Sequence, residues 1–129
     1  MLIVEDDFTS RPLMRELLKS CGPSHVAVNG KEAAEAMRLA LEAVEPYDLI
    51  CLDIMLPETD GQQALKEIRA LEEARGIISP DGAKIVMTTA LGDMKSVFAA
   101  YSGLCDAYLT KPIQKAKLLE ELSKLALIA

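Results

Sequence analysis

Tryptophan is absent from this chain, histidine occurs once, and aromatic side chains amount to two phenylalanines and three tyrosines. The core must therefore come from leucine, isoleucine, valine, methionine and alanine. His25, the single histidine, stands in a short strand-like stretch with no base or metal partner in view. The three cysteines, Cys21, Cys51 and Cys105, form no CxxC pair, which argues against a structural zinc site. Cys51 lies inside an apolar run and reads as a small buried hydrophobe of a reducing compartment. Positive charge is in deficit: the net charge is −6. No basic patch of the kind that binds nucleic acid is expected from that balance, so no direct nucleic-acid partner is predicted. No apolar run reaches membrane-spanning length, and the N-terminus lacks the basic start of a signal peptide. The expectation is a cytoplasmic protein with no membrane contact.

What is present is one domain's worth of chain, 129 residues with half of them apolar. The stretch Leu49-Ile50-Cys51-Leu52-Asp53 is an apolar run that ends on a carboxylate, followed by a loop containing Pro57. Such a run suits a strand buried on both faces of a parallel sheet. Similar short runs occur at Met1–Val4, His25–Val28, Lys84–Thr88 and Ala107–Thr110. Between them lie helical patterns. The first carries Leu13, Met14, Leu17, Leu18 and Cys21 and stops at Gly22-Pro23. The second, Lys31–Val44, carries Ala33, Ala36, Met37, Ala40, Leu41 and Val44 on one face. The third, Gly61–Glu73, is capped by Asp60 and carries Leu65, Ile68 and Leu71. A weakly amphipathic fourth is predicted over Asp93–Tyr101. The last spans Gln114–Leu125, with Leu118, Leu119, Leu122 and Leu125 inward. The connection Gly76–Ala83 is long and holds a turn signal at Asp81-Gly82.

Five strand–helix alternations imply a parallel sheet with helices on both faces and right-handed crossovers. All strand C-terminal ends then share one edge. Those ends read Glu5-Asp6, Asn29-Gly30, Asp53, Thr89 and Lys111. Groups that act together need nearby strands, about 4.8 Å apart. The order 2-1-3-4-5 puts strands one and three side by side and leaves the uncharged second strand at an edge. Order 3-2-1-4-5 would separate the acids, so 2-1-3-4-5 is the prediction, with the crevice at Asp6 and Asp53.

Glu5, Asp6 and Asp53 at one edge repel one another. Oxygen-only ligands favour a hard divalent ion such as Mg2+, which commonly combines carboxylates with phosphate oxygens. Lys111 adds an ammonium and Thr89 a hydroxyl. Together they can neutralise a phosphoryl group in transfer to Asp53, which would act as the nucleophile and form an aspartyl phosphate.

These residues resemble, in order, the receiver domain of two-component response regulators. The matching parts are Leu2-Ile3-Val4-Glu5-Asp6, Asp53 with Pro57 and Asp60-Gly61, Thr89-Ala90, and Tyr108 through Lys111-Pro112. The resemblance covers residues 1–129 as one domain and implies a flavodoxin-like (βα)5 three-layer sandwich. It implies that Asp53 is the phosphoacceptor, that Asp6 and the Met55 carbonyl ligate the metal with Asp53, and that Glu5 acts through metal-bound water. Lys111 would pair with the phosphoryl group, and Thr89 and Tyr108 would form the switch. Phosphorylation would then change the face made by the fourth helix, fifth strand and fifth helix. The implied partners are a sensor histidine kinase or a histidine phosphotransfer protein, and a downstream protein target. A phosphorylation-dependent homodimer is also compatible. Leu56 and Thr59 replace the methionines usual beside the loop proline, and neither supplies a ligand side chain. Because no linker or effector segment follows the last helix, a stand-alone receiver is expected, with an N-terminal receiver of a longer regulator as the alternative.

The resemblance implies a switch that is not an enzyme, beyond its own phosphorylation and dephosphorylation. The main alternative is a phosphohydrolase forming an aspartyl phosphate from small phosphoesters. Its haloacid-dehalogenase form needs a second acid where Met55 stands. A flavodoxin-type cofactor module would need a phosphate loop where Glu5-Asp6-Asp7 would repel an anion. An interaction-only module would lack part of the site, and nothing essential is missing.

Overall fold

The computed structural model describes residues 1–5, 10–53, 61–77, 82–89, 105–111, 113–125 and 127. Its elements are β1 (Leu2–Val4), α1 (Ser10–Leu18) running into a 3-10 turn (Lys19–Cys21), β2 (His25–Ala27) and α2 (Gly30–Glu42). After them come β3 (Leu49–Asp53), α3 (Gly61–Ala74), β4 (Lys84–Thr89), β5 (Ala107–Thr110) and a C-terminal helix (Lys115–Lys124). All four strand pairings are parallel, and the sheet order is β2-β1-β3-β4-β5, as expected. The predicted helix over 93–101, the Asp60 cap and Ala90 fall outside the described residues. No described helix is long and apolar enough to cross a membrane.

Period-2 alternation divides the core into two layers. Leu2, Val4, Ile50, Leu52, Ile85 and Met87 face the apolar sides of α2 and α3, where Ala33, Met37, Leu65 and Ile68 are buried. Ile3, Leu49, Cys51, Val86 and Leu109 face the other way, onto Met14 and Leu18 of α1 and Leu118 and Leu122 of the C-terminal helix. Every residue of β3 is buried, which explains its unbroken apolar run. Burial pushes the Cys51 thiol up to about 12. Leu13 does not join α1's inner face and is half exposed.

The second helix ends earlier than its apolar pattern predicts. Val44, expected on the buried face, is 83 % exposed and has φ 55°. Its N–H donates to the Leu41 carbonyl, and the Glu45 N–H donates to that of Ala40. These paired bonds form a Schellman ending, in which the residue in the left-handed region is usually glycine. Hydrogen-bond closure of the last turn, not apolar periodicity, sets where Val44 points.

A polar clamp around the buried Glu72 joins the end of α3 to the start of β4. Arg69 of α3 donates to Glu72 at 2.7 Å, to the Ala83 carbonyl at 2.8 Å and to Asp106 at 3.2 Å. The Ala83 N–H donates to Glu72 at 2.7 Å, and the Ile85 N–H to Asp106 at 2.8 Å. The Glu72 carboxylate lies so close to Gly82 that a Cβ there would come within 2.5 Å of it. The clamp ties the end of α3 to the starts of β4 and β5, leaving their far ends to carry the crevice.

Candidate functional site

Ladder register brings the acids together. Val4 of β1 is opposite Leu52 of β3, so the next residues, Glu5 and Asp53, stand side by side at the strand ends. The Glu5 N–H donates to the Ala27 carbonyl of β2 at 3.0 Å, which continues the sheet one residue past β1. Both acids are buried, each 3 % exposed. Lys111 follows β5 from the opposite side of the crevice. Its Nζ donates to Glu5 Oε1 at 2.9 Å, to Glu5 Oε2 at 3.1 Å and to Asp53 Oδ2 at 2.9 Å.

One ammonium therefore serves two buried carboxyl groups. Burial raises the Glu5 pKa to about 7; hydrogen bonding to Asp53 and its charge add to the rise, and Lys111 opposes it. Burial works against the Lys111 ammonium, but its bonds to Glu5 and Asp53 outweigh that, so its pKa is raised overall. The cluster has an excess of acid that one further cation would relieve. Its two acids offer oxygen donors only, which suits a hard divalent ion. Asp6 and Met55, the other expected metal contacts, lie outside the described residues, and no group of three metal-ligating side chains occurs among the described ones.

Thr89 closes β4, with its backbone opposite Thr110 of β5; its side chain lies outside the described atoms. Tyr108 is partly buried and packs against the core layer beneath α2 and α3. The Cys105 thiol is its neighbour: burial raises the thiol pKa and the Tyr108 hydroxyl partly counters this. His25 is remote, on the edge strand, with Nδ1 2.8 Å from the Tyr47 hydroxyl and the two rings edge to face. Glu5, Asp53 and Lys111 are thus brought into contact, whereas Tyr108 stands on the opposite face of the sheet.

A sequence profile of the response regulator receiver domain matches residues 1–123. The chain belongs to this family. It is 31% identical over 128 residues to the chemotaxis protein CheY of Halobacterium salinarum, covering 95% of this chain and 92% of that one. Among solved structures it resembles the receiver domain of the sensor histidine kinase PA1611 from Pseudomonas aeruginosa, with TM-score 0.74 and 30% identity. That match covers 96% of this chain and 93% of the other, which was solved with a magnesium ion in its active-site cleft. It also resembles a CheY-like receiver domain from Methylobacillus flagellatus, with TM-score 0.76, 28% identity, and 96% and 95% coverage. The receiver fold that the resemblance implied is therefore the fold present, and the domain belongs to two-component phosphorelay signalling.

Two features of the receiver crevice were not read from the sequence. The resemblance assigns Glu5 a contact through metal-bound water, yet here it bonds directly to Lys111. Thr88, read as a sheet residue, is buried in ladder register with Asp53. Both follow from parity: Glu5, Asp53, Thr88 and Lys111 each lie an even number of residues from a partner on the same core face.

Proposed function

We propose that this receiver domain takes a phosphoryl group onto Asp53 from a histidine kinase or histidine phosphotransfer protein, in a Mg2+-dependent reaction. The observation that carries the reading is the Lys111 ammonium held 2.9 Å from both Asp53 and Glu5 at the buried ends of adjacent strands. A carboxylate oxygen of Asp53 forms the new bond to phosphorus, while the bond from phosphorus to the donor's imidazole nitrogen breaks. The nitrogen leaves with the bonding electron pair. Lys111 supplies a fixed positive charge beside the acceptor oxygen, where negative charge accumulates during transfer. Glu5 holds that ammonium on the Asp53 side of the crevice.

Magnesium, whose place would be at Glu5, Asp6, Asp53 and the Met55 carbonyl, neutralises phosphoryl oxygens when bound. Attack of water on the acyl phosphate later returns Asp53 to its carboxylate, so the domain signals without turning over a metabolite. Thr89 and Tyr108 read the modified state. The outcome is an altered surface around β5, the C-terminal helix and the segment over 93–101, for a downstream protein or a second copy. A free-energy bias of about 1–3 kcal/mol is enough to shift such populations, and one charge-assisted hydrogen bond contributes about that much.

The test is transfer of radiolabelled phosphoryl from a phosphorylated histidine donor domain, with and without Mg2+, to wild type and to Asp53→Asn. Label on the wild type that needs Mg2+ and is lost in the variant supports the assignment. Equal labelling of both proteins refutes it.

A further inference from the structure

We propose that the groove between β2 and α2 is a docking surface for a basic amphipathic helix of a partner protein. α2 is more apolar than the core requires. Ala33, Met37 and Leu41 make its buried stripe. A second stripe, Ala36, Leu39, Ala40 and the capping Ala43, follows the same helical spacing but lies toward the edge of the sheet. β2 is that edge strand, paired only with β1. The stripe, His25 and Val26 of β2, and Tyr47 from the connection to β3 border an open groove of about 540 Å3. A hydrogen bond of 2.8 Å between His25 Nδ1 and the Tyr47 hydroxyl joins two of its walls. Glu5, Asp53 and Lys111 take no part in its lining, so the groove is separate from the crevice.

Leu39 in this stripe is 52 % exposed, and Val44, just past Ala43, is exposed more fully still. With Leu13 of α1 they are the large apolar side chains left exposed among the described residues. A single exposed leucine is ordinary, but two of the three stand at or beside this groove. The rim is acidic. Glu32, Glu35 and Glu45 line the groove, and among the described residues no lysine or arginine does. Arg38 pairs with Glu35 and Glu42, whereas Glu32 and Glu45 have no basic partner among the described residues. An apolar floor under an acidic rim fits a partner that sets apolar side chains between lysines or arginines. A second copy of this chain, at net charge −6, brings the wrong sign. A helix fits better than an added strand. The His25 N–H donates to the Met1 carbonyl at 2.8 Å and the Glu5 N–H to the Ala27 carbonyl at 3.0 Å, so both residues are engaged with β1. Parallel alternation leaves Val26 alone in β2 to turn its N–H and C=O outward. The next outward N–H, that of Val28, already donates to Glu32 at 3.1 Å. The stripe from Ala36 to Ala43, in contrast, runs for about 10 Å along the helix axis, roughly two turns. Its alanines let a second helix come close.

The experiment titrates the isotope-labelled full chain with an amphipathic helical peptide, leucine on one face and lysine on the other, and follows the amide NMR signals. A peptide of about 14 residues is long enough to cover the stripe. Saturable shifts confined to β2, α2 and the connection to Tyr47 are expected, and none with the peptide in which glutamate replaces lysine. Leu39→Gln should weaken binding by roughly tenfold, because less apolar surface is buried. Glu45→Lys should weaken it by roughly fivefold, a difference that added salt reduces. Leu13→Gln removes the exposed leucine of α1 and should leave the affinity unchanged. Leu39, Glu45 and Leu13 are all exposed, and thermal unfolding of each variant checks that it is folded. No binding of the lysine peptide, shifts centred elsewhere on the chain, an affinity unchanged by Leu39→Gln, or equal binding of the glutamate peptide overturns the proposal. Shifts at the same residues when the chain alone is concentrated assign the groove to a second copy and overturn it too.

Discussion

Lys111 gives two of its three ammonium contacts to Glu5, at 2.9 and 3.1 Å, and one to Asp53. The ammonium beside the Asp53 carboxyl group is thus anchored mainly by an acid that follows a different strand. Glu5 is a restraint on Lys111 as well as a part of the acidic crevice.

The burial of Glu5 has a pH signature. The ordinary carboxyl value of Glu5, 4.5, is raised in the folded chain to about 7, first by burial and then by Asp53. Between those values the folded state binds more protons than the unfolded one, so this group's stabilising effect is full below 4.5 and is lost as pH rises through 7. Urea unfolding of metal-free protein at several pH values, for wild type and Glu5→Gln, should show a stability difference that shifts in the variant's favour as pH rises. A difference independent of pH across that window would contradict the assignment.

Val44 occupies the left-handed position of the helix ending at Glu42 and is 83 % exposed. Its side chain contributes little packing there, whereas a β-branched residue at positive φ is strained. Val44→Gly should stabilise the fold by about 1 kcal/mol, read as a higher urea midpoint with an unchanged slope.

Gly82 is required by Glu72. A Cβ at this position would come within 2.5 Å of the Glu72 carboxylate, displacing it from Arg69 and from the Ala83 N–H. Because that carboxylate and its partner are buried, Gly82→Ala should cost about 2–4 kcal/mol. Chemical denaturation gives the value, and a variant as stable as wild type would mean that the clamp relaxes freely.

The Cys51 thiol, held up at about 12 by burial, should resist alkylation by iodoacetamide in the native state. The sign follows from the ordinary value of 9.0: the folded state keeps its proton longer, so stability from this group is lost as pH rises from 9 toward 12. Peptide mapping should find Cys51 unmodified at pH 8 until denaturant is added.

The sheet was legible because β3 is an uninterrupted apolar run and each strand end carries a distinct polar residue. Strand order followed from the need to bring the ends of strands one and three, at Asp6 and Asp53, together while leaving Asn29-Gly30 at an edge. Val44 was misplaced because helical periodicity carries no information about where the last turn closes. The Arg69–Glu72–Asp106 clamp joins residues 37 positions apart, and no local pattern marks such a contact. Thr88 and Thr89 are adjacent and chemically identical in the sequence; only the ladder register separates the neighbour of Asp53 from that of Thr110.

The most direct measurement is the intact mass of the protein after exposure to acetyl phosphate, with Mg2+ or with EDTA, followed by mapping of the modified residue. The prediction is one phosphoryl group per chain, only with Mg2+, located on Asp53 and absent from Asp53→Asn. A phosphoryl group on any other residue, or uptake unaffected by EDTA, would contradict the central claim.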